Sequence, residues 1–164
     1  MQNLKKFLDY FSNHGQIALP AIQKTHINQQ ESFEELAEIV LSLAKRHLGE
    51  NWIKTLVDGY LYMLIDINHS QADYERRGKY LNKSYDDVYN SVYNDSKFMD
   101  LYHWGVFVCT FAWEHHVKVY NLYRDTFLPS LEKDGCLLDL GCGSGVWSFL
   151  TTHFLPQWTS QGID

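Results

Sequence analysis

The segment that most constrains the fold of this chain is an apolar run that leads into three alternating glycines. It reads Leu137-Leu138-Asp139-Leu140-Gly141-Cys142-Gly143-Ser144-Gly145. Residues 136–140 predict a short strand of the buried parallel kind, and 146–155 predict a helix that Pro156 closes. Residues 159–163 predict a second strand, which Asp164 follows. This order of strand, glycine loop, helix and strand predicts the start of an open α/β sheet.

The glycine loop is of a kind that holds a nucleotide-like cofactor in such sheets. Dinucleotide sites use the spacing G-x-G-x-x-G, whereas here the glycines fall at 141, 143 and 145 and position 146 is Val. Asp139, two residues before the first glycine, would repel a pyrophosphate but attract a cation. S-adenosylmethionine carries an ammonium and a sulfonium and no phosphate. The residues therefore favour S-adenosylmethionine over a dinucleotide.

Residues 136–164, under a fifth of the chain, resemble motifs I and II of the class I S-adenosylmethionine-dependent methyltransferases. The resemblance implies that Asp139 and the loop backbone line the methionine end of the cofactor; the loop residues concerned are Gly141, Cys142, Gly143 and Gly145. It also implies that Asp164 holds the ribose hydroxyls. The side chain of Cys142 occupies a variable position and has no predicted chemistry. The alternative is a glycine turn in another α/β fold, with Asp164 an ordinary acid at a strand end.

The chain before this segment has helical periodicity, with apolar residues at i, i+3 and i+4. Helices are predicted over residues 4–11, 33–43, 52–64, 97–109 and 111–128. Ser32 and Glu35 predict a capping box for the second of these helices, and Gly49 predicts a hairpin between the second and the third. The polar stretch 66–83 predicts a loop or a short irregular helix. Ser84 and Asp87 predict a looser capping box before a face of tyrosines.

The fold class is thus a mostly α-helical N-terminal cap followed by the β-α-β start of an α/β Rossmann-like methyltransferase fold. The boundary lies near residue 130. Residues 1–130 are the predicted cap and substrate-recognition region. Residues 131–164 are the predicted first, incomplete part of the S-adenosylmethionine-binding domain.

Candidate residues for the acceptor lie in an aromatic-rich stretch shortly before the boundary. Tyr102, Trp104 and Trp113 are candidates for lining an apolar pocket, although core packing between helices explains most such aromatics. His115 and His116 are the candidates for a general base or for positioning the acceptor. Adjacent helical residues point about 100° apart, so this pair is unsuited to share a metal ion, and no metal site is predicted.

Charge and composition narrow the class of partner. A formal net charge of -6 argues against nucleic acid, because phosphate binding needs clustered Lys and Arg. Three cysteines, Cys109, Cys136 and Cys142, leave an odd thiol and favour a reducing compartment. The longest apolar run, 106–113, stops at Glu114 and is far short of the ~20 residues that cross a membrane. The expectation is a cytoplasmic protein with no membrane contact.

The expected function is S-adenosylmethionine-dependent methyl transfer to O, N or C of a small-molecule acceptor. Only two strands of the family's sheet are present, so we expect the chain to be the N-terminal portion of a longer enzyme, inactive and weak in cofactor binding by itself. A homodimer through the helical region, or through the missing C-terminal half, is the expected assembly. The alternatives are a helical interaction module with a non-catalytic methyltransferase remnant and, third, a nucleotide-cofactor oxidoreductase.

Overall fold

A computed structural model describes all of residues 1–164. The chain is mostly helical, with one two-stranded parallel sheet. The helices are α1 (Gln2–His14), α2 (Leu19–Asn28), α3 (Gln30–Leu48), α4 (Trp52–Arg77), α5 (Tyr85–Val88), α6 (Ser96–Ala112), α7 (Glu114–Leu122), α8 (Leu128–Ser130) and α9 (Val146–Phe154). A 3₁₀ turn, Gly49–Asn51, precedes α4, and π-helical turns follow α5 and α7 at Tyr89–Tyr93 and Tyr123–Phe127. The strands are β1 (Gly135–Leu140) and β2 (Trp158–Ile163).

The closest helix packing is the crossing of α4 and α6, where two glycines face each other. A Cβ atom added to Gly105 would lie 2.7 Å from the carbonyl oxygen of Gly59 and 2.7 Å from Cβ of Met63. A Cβ added to Gly59 would lie 2.7 Å from the carbonyl oxygen of Leu101. Because glycine has no side chain, the two backbones approach more closely than any other residue pair would allow. This contact fixes the position of α6 in the core.

The hydrophobic core runs without interruption from the N-terminal helices to α9. One cluster of 25 buried residues includes Phe7 of α1 and Phe111 of α6, and extends to Val146 and Leu150 of α9. The Phe7 and Phe111 rings pack edge to face, with centroids 5.6 Å apart. The opposite side of α9 contacts both strands. Helix α9 is therefore held between the helices and the sheet, and the glycine loop before it lies against the helical region.

The predicted loop or irregular helix over 66–83 is wrong, because α4 continues through Arg77. Its second half is polar because it is largely exposed, and ion pairs between successive turns support it, including the bond from Arg76 to Asp73 at 2.5 Å. Gly78 ends the helix in the left-handed conformation, with φ 64°. A polar helix on the surface lacks the apolar stripe that helix prediction depends on.

Other helix ends also differ from the predictions. Helix α2 buries only Ile22 and Thr25, so its sequence carries little periodicity and predicted no helix. Helix α3 begins before Ser32, because the Phe33 amide donates to the Gln29 carbonyl at 2.8 Å, and the predicted capping box with Glu35 does not form. The capping box of Ser84 and Asp87 is confirmed.

The break between α6 and α7 falls at Trp113 rather than at residue 110 as predicted. Trp113 is extended, with φ -101° and ψ 123°. Two carbonyl groups at the end of α6 bond to side chains. Thr25 Oγ1 donates to the buried Ala112 carbonyl at 2.9 Å, which gives this group a partner at the break. The Cys109 carbonyl accepts from the Trp113 amide at 3.2 Å, and His116 Nδ1 lies 2.9 Å from the same oxygen.

The two predicted strands are confirmed and pair in parallel, with Leu140 opposite Ile163 in register. Helix α9 covers one face of the sheet. The other face is open, and Leu138, Leu140 and Ile163 are 55%, 71% and 51% exposed. The prediction that β1 is buried on both faces is therefore wrong, because one helix layer covers the sheet.

Candidate functional site

The glycine loop turns sharply away from the end of β1. Gly141, Gly143 and Gly145 all have positive φ, at 73°, 50° and 69°, which only glycine adopts without strain. A Cβ at any of the three positions would meet no atom within 4 Å. The glycines are therefore required by the backbone conformation rather than by crowding, and they leave the outer side of the loop open to a ligand.

Hydrogen bonds tie the loop to the end of β2. The amide groups of Gly141 and Cys142 both donate to the carbonyl oxygen of Ile163, at 2.7 and 3.2 Å. The amide of Gly143 donates to Oδ1 of Asp164 at 3.0 Å. The exposed Asp164 carboxylate, the predicted ribose ligand, thus lies directly beside the loop backbone.

Asp139 is half-buried beneath the loop and faces α9. Its Oδ2 accepts a hydrogen bond of 2.7 Å from Oγ of Ser148, a residue in the first turn of α9. This bond fixes the carboxylate while leaving Oδ1 for another partner. Burial raises the pKa of Tyr123, and the negative charge of Asp139 raises it further. Both predicted acids, Asp139 and Asp164, therefore flank the loop.

Cys142 is a partly exposed residue whose side chain packs against the end of β2. A Cβ added to Gly162, in β2, would lie 2.7 Å from Sγ of Cys142. The absence of a side chain at Gly162 makes the space in which Cys142 rests. This contact explains why a glycine precedes the last residue of β2.

A cleft of about 340 Å³ lies where the glycine loop meets the helices. Helices α3 and α6 form its walls, and the loop forms one rim. Its lining residues are Leu43, Ala44, His47, His103, Trp104, Phe107, Gly143 and Ser144. Of the predicted pocket residues, Trp104 lies in this cleft and is brought together with Gly143 of the predicted cofactor loop.

The cleft combines an apolar floor with two imidazoles. Phe107 and Ala44 are buried, and the Trp104 and Phe107 rings pack edge to face with centroids 5.6 Å apart. The imidazole of His47 lies against Trp104, with ring centroids 5.9 Å apart. His103 is half-buried and precedes Trp104 on α6. No Asp, Glu, Lys or Arg lines the cleft.

The predicted histidines His115 and His116 do not line this cleft. Their rings stack edge to face beside Trp113, with His115 and His116 centroids 4.2 Å apart. Burial lowers the pKa of His116, against the opposing effect of its bond to the Cys109 carbonyl. The structure therefore places His116 at the break between α6 and α7, where its ring bonds to the Cys109 carbonyl.

The other two predicted pocket residues also lie elsewhere. Trp113 Nε1 donates to the Tyr60 hydroxyl at 3.2 Å, and burial raises the pKa of Tyr60 to about 12. Tyr102 stacks on Phe98, with ring centroids 5.7 Å apart, and lines a separate depression with Tyr93. Cys109 is a buried apolar residue, as predicted, and burial raises its thiol pKa to about 12.

The sequence prediction missed the cleft residues of α3, which are Leu43, Ala44 and His47. His47 lies in the last turn of α3, next to the basic residues Lys45 and Arg46 that are typical of a solvated helix end. Nothing in the local pattern indicates that one side of this turn faces the glycine loop, because that depends on the packing of α3 against α6.

No group of three or more His, Cys, Asp or Glu side chains is arranged to hold a metal ion. No helix combines the length and the apolar character needed to cross a membrane. Comparison of the sequence with protein-family models, with curated proteins and with solved structures gives no match.

Proposed function

We propose that the chain holds S-adenosylmethionine at the glycine loop and a small-molecule acceptor in the adjoining cleft, as part of a methyltransferase with a Rossmann-like cofactor domain. The observation that carries the proposal is the meeting of three features at one place. The positive-φ glycines, the two carboxylates of Asp139 and Asp164, and the cleft with Trp104 all adjoin the same short loop.

The residues present fit the cofactor in charge and in shape. Asp139 offers a fixed carboxylate with one free oxygen to a cationic group. Asp164 at the end of β2 offers a second carboxylate, which suits a pair of adjacent hydroxyls. The open side of the three glycines lets a ligand approach the backbone closely. No Lys or Arg lines the cleft beside the loop, which supports a ligand without phosphates.

When bound, the cofactor supplies an activated methyl group. The task of the chain is then to position the acceptor and exclude water. Trp104 and Phe107 hold an apolar acceptor by burying its surface, and Gly143 and Ser144 place the acceptor beside the loop. Because the cleft shares these loop residues with the cofactor site, donor and acceptor lie side by side.

The proposal is tested by saturation-transfer difference NMR with S-adenosylhomocysteine, which detects binding even when it is weak. We expect Asp164→Asn to weaken binding about tenfold or more, since a hydrogen bond to a charged group contributes about 1.5–3 kcal/mol. Asp139→Asn keeps an acceptor for Ser148 and removes only the charge, so its effect isolates the electrostatic part. Asp134→Asn is the matched control, because this exposed acid lies before β1 and away from the loop.

NADH is the competing ligand in the same experiment. Binding of NADH in preference to S-adenosylhomocysteine would contradict the proposal in favour of an oxidoreductase. Binding of neither ligand would contradict it in favour of a helical interaction module. An equal effect of Asp134→Asn and Asp164→Asn would show that net charge alone governs the affinity.

A further inference from the structure

The cleft between α3 and α6 contains two histidines whose ring nitrogens have no hydrogen-bond partner in the protein. His14, His26 and His116 each pair with a carbonyl or a carboxylate. His47 and His103 do not, although His103 is half-buried on the central helix α6. A neutral imidazole presents one donor and one acceptor nitrogen. The cleft therefore offers unused polar atoms beside an apolar surface.

The other residues of the cleft restrict which ligand could bind to the imidazole nitrogens. Trp104 and Phe107 present aromatic surface, and Leu43 and Ala44 present aliphatic surface. The volume of about 340 Å³ is at the small end of ligand pockets, which span about 300–1,000 Å³. A flat molecule of one or two rings fills such a space and stacks on aromatic side chains.

The absence of formal charge in the lining restricts the ligand further. A carboxylate or phosphate would find no Lys or Arg in the cleft, and an ammonium would find no Asp or Glu. A hydroxyl group is the polar group that suits this lining, because it donates to the free nitrogen of one imidazole and accepts from the N–H of another. The two histidines come from different helices, which suits recognition of a single polar group.

We propose that this cleft binds a small planar aromatic molecule bearing a hydroxyl group. The ring lies against Trp104 and Phe107, and the hydroxyl donates to the imidazole of His103. His47, exposed and packed against Trp104, forms the mouth of the site. The assignment of this molecule as methyl acceptor rests on the proposed function, whereas its binding does not require the cofactor.

The probe is 4-nitrophenol at pH 6.5, where most of it is the neutral phenol that can donate, and nitrobenzene is its matched partner without the hydroxyl. Titration of the ¹⁵N-labelled chain without cofactor is expected to shift the Trp104 indole and the Gly143 and Ser144 amides. We expect nitrobenzene to bind about tenfold more weakly, the factor that one hydrogen bond contributes. Comparable affinities for the two probes, or shifts confined to other parts of the chain, would overturn the inference.

Variants assign the hydroxyl to its partner. His103→Leu is expected to reduce affinity for 4-nitrophenol to that for nitrobenzene, and His103→Gln to restore part of it. His69→Leu is the control, because His69 is exposed on α4 and lies outside the cleft. An unchanged 4-nitrophenol affinity in His103→Gln and His103→Leu would overturn the role of His103. If His103→Leu does not fold, the affinities of the unaltered chain for 4-nitrophenol and nitrobenzene still show whether the cleft recognises the hydroxyl group.

The test of the cleft ligand and the test of the proposed function can give different results. Binding of 4-nitrophenol without binding of S-adenosylhomocysteine would support the cleft as a phenol site and overturn the methyltransferase proposal. Binding of S-adenosylhomocysteine without 4-nitrophenol would overturn only the inference about the ligand of the cleft.

Discussion

The contact of α4 with α6 predicts that Gly105→Ala destabilises the chain although alanine is the better helix former. The added Cβ would lie 2.7 Å from a backbone oxygen of Gly59 and 2.7 Å from Cβ of Met63. Optimal carbon contacts are about 3.5–4.0 Å, so the helices must separate by roughly 1 Å. Neither neighbouring atom turns away by side-chain rotation, so the strain falls on the packing of the core.

The size of the effect follows from two opposing terms. Overpacking a core costs about 1–3 kcal/mol, and a clash with backbone belongs at the upper end. Alanine gains about 1 kcal/mol over glycine in a helix interior. The expected net loss is about 2 kcal/mol of unfolding free energy. For a domain of this size that loss lowers Tm by about 4–8 °C.

Urea unfolding followed by far-UV circular dichroism measures this loss. Ser70→Ala, at an exposed site on α4, is the control and is expected to gain a few tenths of a kcal/mol. Gly59→Ala is expected to resemble Gly105→Ala, and the double variant to lose less than the sum, since one helix displacement relieves both clashes. An unchanged or increased stability of Gly105→Ala would refute the close crossing.

Three further predictions concern a helix end, a half-buried histidine and the loop. Asp95 accepts from the amides of Lys97 and Phe98 at 3.1 and 3.0 Å, so Asp95→Ala is expected to cost about 1 kcal/mol in urea unfolding and Asp95→Asn much less. Burial lowers the pKa of His116 in the folded chain. As the pH drops below about 6.5, the unfolded chain therefore binds this proton more readily than the folded chain, and the free energy of unfolding decreases. His116→Asn is expected to lessen this decrease, measured by urea unfolding at several pH values from 7.5 to 5. Gly143→Ala is expected to cost about 1–2 kcal/mol through its positive φ and to weaken S-adenosylhomocysteine binding.

Each of these has an outcome that contradicts it. Equal losses for the alanine and asparagine variants of Asp95 would show that the cap does not act through its hydrogen bonds. An identical pH dependence with and without His116 would place the acid sensitivity elsewhere. A Gly143→Ala variant as stable as the unaltered chain would contradict the left-handed backbone at that position.

The glycine loop was the part of the site that the sequence predicted best. The three glycines and the two acids belong to one strand-loop-helix-strand unit, so residues close in sequence determine how they are arranged. The positive φ values at Gly141 and Gly145 are part of this local arrangement. Asp164, the predicted ribose ligand, accepts from the amide of Gly143 and so lies beside the loop.

The helical half of the site could not be predicted in the same way. His47 and His103 meet at one cleft only because α3 and α6 pack together in a particular orientation. The position of α6 also depends on Gly59 and Gly105, which face each other where α4 and α6 cross and which no local sequence pattern distinguishes. His115 and His116 were predicted because they are adjacent in sequence, and adjacency does not determine where α3 and α6 leave a cleft.

The most direct test of the account is a ¹H–¹⁵N correlation titration of the labelled chain with S-adenosylhomocysteine. We expect saturable shifts at Gly141, Gly143, Gly145 and Asp164, with smaller shifts at Ser144, where the loop meets the cleft. We also expect the affinity obtained from these loop shifts to fall about tenfold or more in Asp164→Asn and to stay unchanged in Asp134→Asn. Shifts absent from the loop, or spread over the exposed faces of α4 and α5, would contradict the claim that this loop is a cofactor site.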